Sequence, residues 1–227
     1  RAAEYLIDDQ FGNAPASLSD DNLRFQLGLP VDTKIPKGGE DRERWIQEQY
    51  QKVPTEFTEE EKRTVVDTLA RIEQKLAGKW PMLTRVPWHI MPVREGFCRN
   101  MPHTRGIHIL LSSKVVAQMH ADAGFAEMLM VHEKLHVLQR LMPERFGLVY
   151  QRYGYRRGLV SGERFDKLSI AQNPDAPDQL WYLDIEGKPV LMLTLLDESR
   201  KGYVFQERLY ALVDKGHSHE LGGQLKP

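Results

Sequence analysis

The chain has 227 residues, of which 41% are hydrophobic and 28% charged, and its 31 basic and 32 acidic residues leave a formal charge of -1. This is the composition of an ordinary globular chain, and it excludes collagen-like, coiled-coil and largely disordered classes. The balanced charge argues against nucleic acid as a partner, because a general binder of the phosphate backbone carries an excess of Lys and Arg.

Neither a membrane span nor a disulfide framework is indicated. The longest apolar run without charge, Pro189 to Leu196, is far shorter than the roughly 20 residues that cross a bilayer. Cys98 is the single cysteine, so it can form no intrachain disulfide and no cysteine-rich zinc site. The first residue, Arg1, is compatible with removal of a signal peptide, which would place the protein in the periplasm or outside the cell, and equally with a trimmed chain.

The N-terminal region is expected to be irregular. Residues 1–40 are rich in Gly, Pro, Asp and Ser and show little periodicity, which predicts an arm lying over the rest of the protein. Residues 41–227 contain helical and strand patterns without an internal repeat, and we expect them to form one α+β domain. Its first helix is predicted over residues 41–52.

A longer amphipathic helix is predicted next. Thr58 and Glu61 have the spacing of a capping box, and Gly78 would end the helix. The helix would bury one apolar face, which is formed by four residues at helical spacing: Val65, Leu69, Ile72 and Leu76.

Two short strands and a short helix are expected after it. Residues 86–93 are β-prone but interrupted by proline, which suits an edge strand, and residues 107–111 predict a second strand. Arg105, just before the second strand, is expected to be a surface arginine, with a place along a substrate cleft as the alternative. Residues 112–119 favour a short helix capped by serine.

The strongest helical segment runs from Gly124 to Met142 and is stopped by Pro143. An amphipathic stretch follows it. Further on, residues 181–185 and 190–195 flank a turn and predict a β-hairpin.

The strongest helix contains an HExxH motif, His132-Glu133-Lys134-Leu135-His136. Four residues advance a helix by about 400°, so the two histidines lie on one face, one turn apart, where both can bind one ion. Zn²⁺ suits two imidazole nitrogens, and Glu133 beside them can take a proton from a water that the metal activates. Chance would produce the motif only about 0.02 times in such a chain. We therefore predict that His132 and His136 bind zinc and that Glu133 is the general base.

Two histidines leave a zinc ion short of a third protein ligand. A metzincin would have Gly and His where this chain has Gln139 and Met142, and no GTxxD-like segment supplies an aspartate. A downstream glutamate, as in gluzincins, remains.

Further segments accompany the motif: Met101 to Leu110 (MPHTRGIHIL), His132 to Arg140 (HEKLHVLQR), Tyr150, Gly154-Tyr155 and Asn173-Pro174-Asp175. Together they resemble a group of mostly bacterial zincin-like proteins of the HExxH, gluzincin type. The resemblance implies a zincin-like fold, in which the HExxH helix packs on a small mixed sheet, and a zinc metallopeptidase activity. It also implies a glutamate ligand near the C-terminal end, often in an H-x-x-E setting, which this sequence matches only in part.

Glu220 is the first candidate for the third ligand, because the resemblance and the histidines beside it favour it. Glu207 lies in an apolar stretch, where a glutamate needs a reason to be present. Glu163 loosely resembles the glutamate of thermolysin-like gluzincins. The histidines beside Glu220 are the remaining alternatives: His217 and His219.

The sequence thus predicts a zinc-dependent hydrolase that acts on a peptide or protein substrate. Two alternatives stay open: a non-catalytic zinc-binding or partner-binding module on a zincin scaffold, and a zinc hydrolase of non-peptide amides or esters. The fold class does not separate them, because function belongs to the site and its cleft. The sequence does not indicate an oligomeric state.

Overall fold

The protein has the predicted α+β architecture. Its computed structural model describes residues 2–7, 15–157, 181–185, 188–197, 204–213 and 217–220. The chain forms two compact units, Arg1–Met142 and Pro143–Pro227. None of the helices in the described ranges is long and apolar enough to cross a membrane.

The first unit contains helices on both sides of a small sheet. Its helices are α1 (Ala2–Ile7), α2 (Asp20–Leu27), α3 (Gly39–Tyr50), α4 (Glu59–Leu76), α5 (Pro81–Arg85), α6 (Ser113–Ala121) and α7 (Ala123–Leu141). Its strands are β1 (His89–Val93), β2 (His103–Arg105) and β3 (His108–Ser112).

The sheet of the first unit is mixed, as predicted. Its order is β1-β3-β2, with β1 parallel and β2 antiparallel to β3. Successive residues of β3 point to opposite faces, so Leu110 packs in one core with α1, α2 and α3, whereas Ile109 and Leu111 pack in a second core with α4 to α7. The strand therefore separates two hydrophobic cores.

Two described segments within the predicted irregular arm are helical, α1 and α2. The Ser19 side chain caps α2 by accepting a hydrogen bond from the Asn22 amide, and Gly28 ends the helix with a φ of 63°. A Cβ at Gly28 would lie 2.2 Å from the Gly96 carbonyl oxygen, so the position requires glycine. Polar and glycine residues that suggest a loop are here the caps of a short helix.

The long amphipathic helix is confirmed. Thr58 and Glu61 form the capping box, with the Thr58 amide donating to Glu61 Oε2 at 2.7 Å and the Glu61 amide donating to Thr58 Oγ1 at 3.2 Å. Helix α4 ends at Leu76, two residues before Gly78. The predicted apolar face lies in the second core: Val65 and Ile72 are buried, and Leu69 and Leu76 pack against them.

Both strand predictions are also confirmed, with β1 at an edge of the sheet and β3 at its centre. The sequence pattern does not indicate β2, since three residues are too few to show a periodicity. This strand occupies the other edge of the sheet and is completely buried.

Arg105, on β2, is neither a surface residue nor exposed along a cleft, because none of its surface is accessible. Its guanidinium donates hydrogen bonds to the Leu6 carbonyl oxygen at 2.9 Å and to Gln26 Oε1. The rings of Tyr50 and Phe97 lie 5.4 and 5.9 Å from it. Burial raises the pKa of Tyr50 to about 12, so its hydroxyl stays protonated and donates to Gln26 Oε1 at 2.8 Å. Arg105 thus joins α1, α2 and α3 to the sheet.

The second unit begins with helix α8 (Pro143–Arg152) and continues as a five-stranded antiparallel sheet. Its strands follow the chain order: β4 (Tyr155–Arg157), β5 (Trp181–Ile185), β6 (Lys188–Asp197), β7 (Val204–Val213) and β8 (His217–Glu220). The predicted hairpin is confirmed as β5 and β6, which pair with Leu183 opposite Val190.

Candidate metal and catalytic site

The HExxH motif lies in the middle of α7, the helix predicted to carry it. Asp122 begins this helix by accepting hydrogen bonds from the Gly124 and Phe125 amides, both at 2.9 Å. The helix contacts α4, α5 and α6 as well as β2 and β3. Its buried face recurs at helical spacing: Ala126, Leu129, Met130, Glu133, Lys134, Val137 and Leu138.

The two motif histidines are brought together on the accessible side of α7. His132 is exposed and His136 is half-buried. Their Nε2 atoms are 3.1 Å apart, and the two ring planes are nearly perpendicular. The same nitrogen of each ring thus lies close to that of the other.

The separation of these nitrogens fits a zinc ion. With each Zn–N bond at about 2.0–2.1 Å and tetrahedral angles, two ligating nitrogens lie about 3.3 Å apart. The observed 3.1 Å is close to this value. The donor set, two imidazoles, is also one that zinc prefers.

Glu133 is almost completely buried, with 3% of its surface accessible. It occupies a core-facing position of α7, rotated by about 100° from its predecessor His132. A carboxylate in a core position is costly unless it has a specific role or partner. Glu133 follows His132 directly in the chain and lies on the buried face of α7.

Lys134 is a second charged residue on the buried face, with 1% of its surface accessible, and the HExxH motif itself assigns it no role. Its Nζ donates to the Val86 and Pro87 carbonyl oxygens at 2.8 and 2.6 Å and lies 4.6 Å from the centre of the Trp88 ring. Burial lowers the pKa of Lys134 to about 8. A neutral amine still has two protons for the two carbonyls, so both hydrogen bonds survive deprotonation. Lys134 thus connects the helical turn of the motif to the residues just before β1.

Arg140, which follows the motif on α7, connects the helix to β2. Its guanidinium donates to the side chain and the carbonyl oxygen of Thr104 and to the carbonyl oxygen of Gly106. These bonds join the two segments, residues 101–110 and 132–140, on which the family resemblance mainly rests. The motif helix is thus tied to both edge strands of the sheet.

The candidates for the third ligand belong to the second unit. Glu163 lies outside the described residues. Glu207 is on β7 opposite Thr194, and Glu220 is on β8 opposite Tyr210; of these glutamates the structure describes only the backbone. The assignment of Glu220 as a ligand therefore stays a prediction.

The register of β7 and β8 divides these candidates into two groups. Residues directly opposite in an antiparallel pair share a face, and successive residues alternate. Glu220, opposite Tyr210, occupies one face of the sheet, whereas Glu207 occupies the other face. His219, opposite Ala211, and His217, opposite Val213, share the face of Glu207. Glu220 therefore does not share a sheet face with Glu207, His217 or His219.

Among the described side chains, no group of three or more His, Cys, Asp or Glu residues is placed to hold a metal ion. The described part of the site therefore consists of His132 and His136, with Glu133 next to His132 in the chain. Comparison of the chain with protein-family models, with curated proteins and with solved structures finds no match.

Proposed function

We propose that this protein is a zinc-dependent hydrolase that cleaves peptide bonds. The observation that carries the proposal is the separation of 3.1 Å between the Nε2 atoms of His132 and His136, on a helix in which the buried Glu133 directly follows His132. The family resemblance of the motif segments supports peptides as the substrate class. Arg140 joins two of those segments in space through its hydrogen bonds to Thr104 and Gly106.

Each residue of the motif has a distinct role in this proposal. His132 and His136 would hold the ion through Nε2, and Zn²⁺ would supply Lewis-acid activation of a water and of the substrate carbonyl. Glu133 accepts the proton of the attacking water and passes it to the leaving amine. Lys134 and Arg140 keep the helix fixed against β1 and β2, so that the carboxylate and the imidazoles hold their mutual geometry.

We further propose Glu220 as the third protein ligand, on the strength of the resemblance and of the ligand count. Two imidazoles leave a tetrahedral zinc site with one protein ligand missing and one position for water. Glu220 occupies the end of β8, on the sheet face opposite to Glu207, His217 and His219.

Zinc content tests the metal site. Wild-type protein purified without added metal is expected to contain about one zinc ion per chain, and the His132→Ala and His136→Ala variants are expected to contain almost none, because each loses a ligand. Elemental analysis measures the content, and circular dichroism verifies folding. His120→Ala is the matched control, since His120 is exposed on α6. A folded wild type without zinc, or unchanged content in both variants, would contradict the proposal.

The third ligand is tested separately by measuring zinc affinity in three glutamate variants. Glu220→Ala is expected to weaken zinc binding strongly, because a coordinating carboxylate is lost. Glu207→Ala and Glu163→Ala are expected to leave the affinity nearly unchanged, since a carboxylate away from the ion contributes little. A large loss in either of these two, with wild-type affinity in Glu220→Ala, would move the assignment and leave the two histidines in place.

A further inference from the structure

Gln139 lies one turn after His136 on α7 and contacts its ring. Gln139 Oε1 is 2.8 Å from Nδ1 of His136. A carboxamide oxygen accepts hydrogen bonds and cannot donate them, so Nδ1 carries the proton of this bond. The neutral imidazole then has an unprotonated Nε2, which is the nitrogen that lies 3.1 Å from Nε2 of His132.

We propose that Gln139 is a positioning residue of the zinc site. Its Oε1 accepts a hydrogen bond from the Nδ1–H of His136, which leaves the Nε2 lone pair of His136 available to the ion. The inference rests on the proposed function, because it concerns the same site. It gives a role to a residue that the HExxH motif does not include. Gln139 occupies the position where a metzincin has glycine, and a glycine there would have no side chain to orient the ring.

In this tautomer His136 presents Nε2 without further proton exchange, because the hydrogen bond to Gln139 already holds the proton on Nδ1.

The contact is built into the helix itself. Residues three apart on a helix are neighbours, so Gln139 reaches His136 without any rearrangement of the chain. Partners that hydrogen-bond to ligating histidines fix the ring orientation and the tautomer, and their loss typically lowers metal affinity by about 10- to 100-fold. The proposal predicts an effect of this size for the loss of the Gln139 acceptor.

Zinc affinity of the full chain, measured by competition with a chromophoric chelator, is the first test. Gln139→Met keeps the side-chain length and removes the acceptor, so its zinc dissociation constant is expected to rise by about 10- to 100-fold. Gln139→Glu retains an acceptor and is expected to bind zinc at least as tightly as the wild type. Gln118→Met, on the exposed side of α6, is the matched control and is expected to leave the affinity unchanged.

The tautomer of His136 in zinc-free protein is the second test, and it does not depend on metal binding. Long-range ¹H–¹⁵N NMR is expected to show the proton on Nδ1 in the wild type and in Gln139→Glu, and a shift towards Nε2 in Gln139→Met. If the wild type binds zinc and Gln139→Met has the same affinity and tautomer, the inference is wrong and the proposed function stands. If the wild type binds no zinc, the proposed function fails, and a tautomer that is unchanged in Gln139→Met then overturns the inference as well.

Discussion

The Glu133→Gln variant is expected to keep its zinc and its fold while losing hydrolytic activity by about 10²- to 10⁴-fold, the usual contribution of a general base. Glutamine has the shape of glutamate but cannot accept the proton of the attacking water. Since Glu133 is 3% exposed, a neutral side chain of the same size also fits its buried position. The expected signature is a loss in kcat with little change in zinc content.

Cleavage of a broad peptide library, followed by mass spectrometry, measures this effect. Glu73→Gln, an exposed position of α4, is the matched control for the same chemical change. Equal cleavage by wild type and Glu133→Gln would show that Glu133 is not the base. If a zinc-loaded wild type cleaves no peptide in the library, the non-catalytic module or the hydrolase of non-peptide amides and esters becomes the better account.

The second large effect concerns stability, and it is expected at Arg105. Arg105→Ala should lower the free energy of unfolding by about 3–5 kcal/mol, the range for emptying a large buried site. The change also leaves the Leu6 carbonyl and Gln26 Oε1 without their donor, and an unsatisfied buried acceptor costs about 1–3 kcal/mol. Such losses are a large share of the roughly 5–15 kcal/mol that stabilises a typical domain.

Urea unfolding, monitored by tryptophan fluorescence, measures this loss. Arg63→Ala, at an exposed position of α4, is the control and is expected to change stability by less than about 0.5 kcal/mol. Arg105→Lys is expected to remain destabilised, because an ammonium cannot reproduce the two directed hydrogen bonds of the guanidinium. An unfolding free energy of Arg105→Ala equal to that of wild type would show that the buried network does not hold α1 and α2 to the sheet.

The elements that the sequence predicts correctly are those whose signals are local. The capping box at Thr58 and Glu61, the apolar face of α4 and the helix that carries His132 and His136 each depend on residues within a few turns of one another. The spacing of the two histidines on a helix is fixed by backbone geometry alone, so their pairing follows from the sequence. The Lys134 contact also had a local signal, because a lysine occupies a position of the buried stripe of α7.

The features that the sequence does not predict depend on distant parts of the chain. Arg105 is buried because Leu6 and Gln26, 99 and 79 residues away, supply its acceptors, and no local pattern indicates that pairing. Strand β2 is only three residues long, so it exists through its pairing with β3. The proposed zinc ligand Glu220 would be a contact of the same kind, because it is far from α7 in the sequence. This is why the sequence alone predicts that the two motif histidines lie together, while the assignment of Glu220 as a ligand stays a proposal.

Diffraction from crystals of the zinc-loaded protein, recorded on both sides of the zinc absorption edge, tests the central claim most directly. The account predicts one strong anomalous peak at about 2.0–2.1 Å from both Nε2 atoms of His132 and His136, with Glu220 as the third protein ligand. A third ligand from Glu207, Glu163, His217 or His219 would correct the Glu220 assignment only. The absence of a peak between the two histidines, in crystals that contain zinc elsewhere, would contradict the account.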